Sequence, residues 1–258
     1  MERFKVIQLN MQFGQVWDET DPDNALIDVA RTIDELRSHD ADIILLQEVE
    51  RGQVGGAQIE PPPNCTKLRQ ALKGYDCFFS YPKVDPRELP FGIGLAIFSK
   101  TPLRDTMRRD LPSPPVEFEF EGRRTTPTDR LLIGVTTTVG GRDLRILNTH
   151  LLALFMINAN SQDYPMQRRR VLEILNASKG PTVLGGDFNA ANHDALLQQF
   201  ATAGYKTVQS ERATWRREPL VLDHIFYSRQ LRSVRHAVKP TTASDHHVLV
   251  VEFEYVPD

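Results

Sequence analysis

A chain of 258 residues that is 40% hydrophobic and 25% charged can bury a full core, and it reads as one domain over 1–258. No apolar stretch reaches the length of a membrane span, and the opening MERFKVIQLN is charged, without the apolar core of a signal peptide, so a cytoplasmic location is expected. The formal charge of −3 argues against a broadly basic surface for sequence-independent binding to a phosphate polymer. Two cysteines without CxxC or Cys/His spacing argue against a disulfide framework or structural zinc and read as free thiols.

Along the chain, residues 4–9 and 43–47 are strand-like. They bracket a helical pattern from about Asn24 to Arg37, in which Leu26, Val29, Ala30, Ile33 and Leu36 share a face and Asp21 or Asp23 supplies the cap. Strand patterns follow at 76–80, 93–99, 116–120, 131–139 and 143–149. A second helix begins near Pro165 and runs through Val171, Leu172 and Leu175. After the strand-like TVLGGD, a third helix spans roughly 194–203 and stops at Gly204. Strands at 222–228, 232–238 and 247–255 complete the pattern, the last alternating enough to lie half exposed. The proline-rich stretches 59–64 and 111–115 read as loops. Many strands with few helices predict an α/β fold in which two sheets pack together with helices outside.

Polar residues interrupt these apolar runs in a consistent way. Asn10, Glu48, His150 and Asp187 each stand at the end of a strand, whereas Asp223, and Asp245 with His246, stand at the start of one. If the last two strands run opposite to the first four, all these groups gather along one edge. Each has an ordinary reading when taken alone: Glu48 as a solvated loop carboxylate, Asn10 and Asp223 as turn residues, His150 as a satisfied core histidine. Their joint occurrence at six strand ends outweighs those readings. Carboxylates with carbonyl oxygens are the hard ligands that suit Mg²⁺ or Mn²⁺, and such a cation suits phosphoryl transfer, where charge spreads over nonbridging oxygens. Within GGDFNA, Asp187 is placed to hold a nucleophile and the uncharged Asn189 to donate to a phosphate oxygen.

The strings LLQEVE, GLAIFSK, NTHL, GGDFNA, LDHIFYS and SDHHVL occur in the order seen in the endonuclease/exonuclease/phosphatase superfamily, which the chain resembles from about Asn10 to Glu252. The resemblance implies a four-layer α/β sandwich, two packed mixed β-sheets flanked by helices. It also implies a divalent cation and hydrolysis of a phosphate ester by direct attack of water, with a phosphodiester expected ahead of a monoester. By the same resemblance, Glu48 is the principal metal ligand with Asn10 close by and Asp245 contributing. His246 is the catalytic histidine, Asp223 its orienting carboxylate, Asp187 the water-activating residue, and Asn189 with His150 the phosphate contacts. Gln12 stands where apurinic endonucleases carry an aspartate, and FGIGLAIFSK lacks their tyrosine before its glycine; both departures point away from DNA repair.

Insertions at 52–64 and 152–167 are placed to wall the site, RRTTPTDR at 123–130 to extend a basic rim, and Arg168 and Arg169 to meet a second phosphate. The expected substrate is a phosphate ester, whether in single-stranded nucleic acid, a nucleotide or a lipid head group; no protein partner is expected. The alternatives are a phosphoinositide or sphingomyelin-type lipid phosphoesterase, and a binding protein that keeps the fold without turnover.

Overall fold

Apolar residues on both faces of a strand require cover on both sides, and the fold of the computed structural model, described over residues 3–257, follows from that requirement. The first half of the chain forms β1 (Arg3–Asn10), α1 (Val29–Ser38), β2 (Ile43–Gln47), β3 (Glu50–Arg51), α2 (Pro63–Ala71), β4 (Asp76–Ser80), β5 (Gly92–Ile93), β6 (Leu95–Ser99), β7 (Arg104–Leu111), β8 (Phe118–Phe120) and β9 (Arg123–Thr125). The second half forms β10 (Arg130–Val139), β11 (Arg142–His150), α3 (Met166–Ala177), β12 (Thr182–Asp187), α4 (His193–Ala201), β13 (Lys206–Thr207), β14 (Asp223–Tyr227), β15 (Leu231–Lys239) and β16 (Val248–Tyr255).

Two six-stranded sheets result, one in the order β15-β16-β1-β2-β6-β4 and the other β13-β14-β12-β11-β10-β7. Both are mixed: β1 with β2 and β11 with β12 are parallel, and the remaining pairs are antiparallel. Alternate side chains sort into different cores, as the strand period of two demands. Ile43 and Leu45 of β2 face the interior between the sheets, with Ile133, Ile146, Val183, Ile225 and Leu249. Ile44 and Leu46 face outward and are covered by Leu36 of α1 and by Leu68 of α2. On the far side Leu132, Leu147 and Leu184 meet Val171 and Leu175 of α3 and Leu196 and Phe200 of α4. The expected four-layer sandwich is therefore present. Among the described residues no helix is long and apolar enough to cross a membrane.

Several boundaries differ from expectation for identifiable reasons. Helix α1 starts at Val29 and is capped by Asp28, whose side chain accepts the Ala30 N–H at 3.1 Å. The preceding backbone is committed elsewhere: Gln15 Nε2 donates to the carbonyls of Asp23 and Ala25, and Val16 N–H to that of Leu26. Helix α2 has proline at its first position and follows directly on the proline-rich loop that concealed it. Strand β7, RDTMRRDL, is a charged edge strand, and its polarity hides it from an apolar pattern. The stretch 93–99 divides at Gly94, and β16 is mostly buried because Leu249, Val251 and Phe253 enter the core between the sheets while Val248 enters the core under α1 and α2.

Gly185 sets how closely the sheets approach, since a Cβ there would lie 2.3 Å from Leu45 Cδ1 in the opposite sheet. Gly185→Ala is expected to destabilise by about 1–3 kcal/mol in urea unfolding. In combination with Leu45→Ala the two losses are expected to be less than additive, because each vacates or fills the same space.

Candidate active site

Register brings the polar strand ends together. Asn10 pairs with Gln47 across β1 and β2, His150 with Asp187 across β11 and β12, and Asp187 with Asp223 across β12 and β14. Strand β16 runs antiparallel to β1, so the residues before it, Ser244, Asp245 and His246, return to the same edge. Ser244 Oγ donates to the Asn10 carbonyl at 2.7 Å and fastens that return.

The resulting cluster spans both sheets. Asn10 Nδ2 donates to Glu48 Oε1 at 2.9 Å and to Asp187 Oδ2 at 3.1 Å. The amide is oriented by its own Oδ1, which accepts the Gln12 N–H at 3.1 Å. His150 Nε2 lies 3.8 Å from Glu48 Oε1, 3.6 Å from Asp187 Oδ2 and 3.0 Å from Asn189 Nδ2. Asn189 N–H donates to Asp187 Oδ1 at 3.0 Å. His246 Nδ1 and Asp223 Oδ2 are 2.8 Å apart, which leaves Nε2 facing Asp187 Oδ2 at 3.7 Å and Asp245 Oδ1 at 4.0 Å. Asp245 Oδ2 accepts from Trp215 Nε1 and Arg217 Nε, both at 3.1 Å. Eight of the ten expected residues thus share one cluster. The other two lie apart: Arg168 is buried in the first turn of α3 with Nη2 donating to the Ser161 carbonyl, and Arg169 is exposed.

Burial sets the charge states. It pushes Glu48 up to about 7, with the Asn10 hydrogen bond opposing and the Asp245 charge adding. Burial, reinforced by the charge of Asp223, pushes Asp187 up to about 8. Burial also acts to lower His246, but the charge and hydrogen bond of Asp223 outweigh it and hold the imidazole well above its ordinary range. Asp223 is correspondingly held low, because the His246 cation overcomes its burial. Burial, with Arg130 and His246 nearby, keeps His150 well below the usual histidine range and neutral.

Asp187, Asp223 and His246 lie close enough to suggest a metal group, yet His246 spends Nδ1 on Asp223, whose charge holds the imidazole well above its ordinary range, so this trio suits proton handling. Glu48 and Asp245 are the residues that could hold a cation: both present hard oxygens, Asp245 gives Oδ2 and not Oδ1 to Trp215 and Arg217, and the Asp245 charge that adds to the burial of Glu48 would be offset there. Two residues of the cluster hold left-handed backbone, Glu48 at φ +51° and Asn189 at φ +47°. Strain at such positions persists only where surroundings enforce it. The Glu48 carbonyl accepts the Phe13 N–H at 2.7 Å, and a Cβ on Gly92 would come within 2.1 Å of Glu48 Oε2.

Several contributors are not evident from sequence reasoning. Gln8 Nε2 donates to Asp223 Oδ1 at 2.8 Å and to Gln47 Oε1 at 2.7 Å, and Gln47 Nε2 continues to Asn148 Oδ1 at 2.7 Å. All three amides are fully buried and together tie the two sheets behind Asp223. Their signal is a polar residue within an otherwise apolar strand. Trp215 and Arg217 back Asp245, Gly92 packs on Glu48, and Arg130 brings a positive charge near Glu48 and His150.

Residues 7–246 match the model of the Endonuclease/Exonuclease/phosphatase family. A UPF0294 protein of Yersinia pseudotuberculosis is 34% identical over 142 residues, which cover 51% of this chain and 52% of that protein. The chain spans about half the length of the curated relatives it matches. An endonuclease/exonuclease/phosphatase from Beutenbergia cavernae superposes with a TM-score of 0.74 at 20% identity, over 99% of this chain and 72% of that one. The human Nocturnin catalytic domain with a bound sulfate anion gives 0.67 at 22%, over 98% and 95%. These two likenesses are of fold. With a family match over nearly its whole length, and the two-sheet sandwich in place, the chain belongs to the Endonuclease/Exonuclease/phosphatase family.

Proposed function

We propose that the chain acts as one catalytic domain that hydrolyses a phosphodiester by direct attack of water, in a reaction dependent on a divalent cation. The observation that carries this reading is the His246–Asp223 pair, 2.8 Å apart, with the free Nε2 turned to Asp187 across the seam of the two sheets. Glu48 and Asp245, with Asn10 beside them, would hold Mg²⁺ or Mn²⁺, which supplies neutralising charge for the nonbridging oxygens of the substrate. Asp187, raised by burial toward the working pH, orients water and takes its proton. His246, kept cationic by Asp223, delivers a proton on the opposite side of the reaction. Asn189 donates to a phosphate oxygen beside neutral His150, and Arg130 adds positive charge at the same rim. Substrates of this chemistry include single-stranded nucleic acid, nucleotides and phosphodiester lipid head groups. The human Nocturnin catalytic domain, which shares the fold, holds a bound sulfate anion, itself tetrahedral.

With Mg²⁺ or Mn²⁺ the protein is expected to cleave bis(p-nitrophenyl) phosphate and to stop on addition of EDTA. His246→Ala should lose roughly 10²–10⁴-fold in kcat, and Glu48→Gln should lose the response to metal; full activity in either variant would refute the assignment.

A second expectation concerns pH. The folded state favours a neutral Glu48, so stability from this group is present below its unfolded pKa near 4.5 and is lost as pH rises toward 7, by an amount on the order of 3 kcal/mol. A cation that binds the ionised form recovers that loss. Millimolar Mg²⁺ should therefore raise the melting temperature more at pH 8 than at pH 5, and Glu48→Gln should flatten the difference.

Gly92→Ala tests the packing behind Glu48. It is expected to raise the Mg²⁺ concentration needed for half-maximal activity while the circular dichroism spectrum stays that of the parent; an unchanged metal requirement would show that Glu48 tolerates displacement.

A further inference from the structure

Strands β1, β2, β11 and β12 end on the edge that carries the candidate site, and β6, β10, β14 and β16 begin there. The segments that run over this edge are therefore 11–28, 48–62, 81–94, 112–129, 151–166, 188–192, 208–222 and 240–247. Nine of the eleven large apolar side chains left exposed among the described residues lie on them. Single exposed apolar residues are ordinary on a protein surface, but their concentration on one edge is not. They form two flanks about the cluster. On one, the Gly52 N–H donates to the Phe91 carbonyl at 2.7 Å, Phe91 sits edge-on to Phe120 at 5.5 Å, and Ile27 and Ile59 line one groove of about 190 Å³. Gly92, next to Phe91, brings this flank against Glu48. On the other, Met156 follows Phe155, which packs edge-on against Trp215 at 5.8 Å, and the Trp215 ring lies 6.4 Å from that of His246.

Charge narrows what can rest on these flanks. The same segments hold eighteen of the 34 acidic residues and eight of the 31 basic ones, a formal −10, whereas the rest of the chain sums to +7. Such an edge repels a polyanion or an anionic membrane. A zwitterionic phosphocholine surface complements it, because its outermost group is a quaternary ammonium and its apolar region lies just beneath. We propose that this edge is a docking surface for a zwitterionic phospholipid bilayer. Leu26, Val54 and Phe91 on one flank and Met156 and Tyr164 on the other enter the interfacial region, while the acidic loops face the ammonium groups. Docking in this way sets the cleft between Glu48 and His246 over the lipid head groups. It requires no turnover, so it stands apart from the catalytic reading.

Sedimentation of the full chain with sucrose-loaded phosphatidylcholine vesicles, at low ionic strength and without added metal, tests the proposal. The protein is expected in the pellet, and its bound fraction should fall several-fold when phosphatidylserine replaces part of the phosphatidylcholine. Val54 is 94% exposed and Met156 62%, one on each flank, so Val54→Glu and Met156→Glu should keep the parent circular dichroism spectrum and each lower binding several-fold. Val234→Glu, on strand β15 away from this edge, should bind as the parent does. A parent protein that stays in the supernatant, or that prefers the phosphatidylserine vesicles, would overturn the proposal. So would a Val234→Glu loss equal to the others. A concentration-dependent dimer that Val54→Glu and Met156→Glu abolish would assign the edge to a second copy of the chain instead.

Discussion

Charged groups withdrawn from water at the seam of two apolar sheets are the constraint on which this molecule depends. Asp223 and Asp187 are almost wholly buried, and His246 is only 5% exposed. Isolated in such a place, each would strongly resist ionisation. Asp223 ionises because His246 and Gln8 both bond it, whereas Asp187, with weaker partners, is left raised. The same arrangement that makes the site costly gives its members distinct proton affinities, and that separation is what acid–base chemistry requires.

The scaffold supports this with the apolar material on either side. Leu45 against Gly185, and the amide chain from Gln8 through Gln47 to Asn148, hold the sheets at one spacing and one alignment. A partly satisfied polar network would be a liability inside a core, and Gln8 Oε1 is indeed without a partner among the described atoms. The network nonetheless delivers a donor to Asp223 from the opposite sheet, so position is gained at the site for stability given up in the core.

Much of this was legible in the residues themselves. The strand ends at Asn10, His150 and Asp187 lie where the apolar runs stop, and the reversed polarity of Asp223 and His246 follows from antiparallel pairing. The rest depends on contacts between distant segments. The Gln15 side chain holds residues 23–25 out of α1, an edge position lets β7 be charged, and Gly92 matters only because Glu48 is folded onto it. Gln8 and Asn148 look like incidental polar residues in strands until the layers are stacked. Arg168, by contrast, was conspicuous in a basic run but spends a donor on the Ser161 carbonyl inside the fold.

Neither sheet contains a working half of the cluster. Asn10 and Glu48 belong to one, His150, Asp187 and Asp223 to the other, and His246 arrives from the first to meet Asp223 of the second. Sliding one layer past the other by a single residue, about 3.3 Å, would part all the cross-layer bonds at once. The cluster therefore behaves as a vernier for interlayer alignment: a collapsed chain whose sheets have formed but not come into register holds only two incomplete sets of its polar groups.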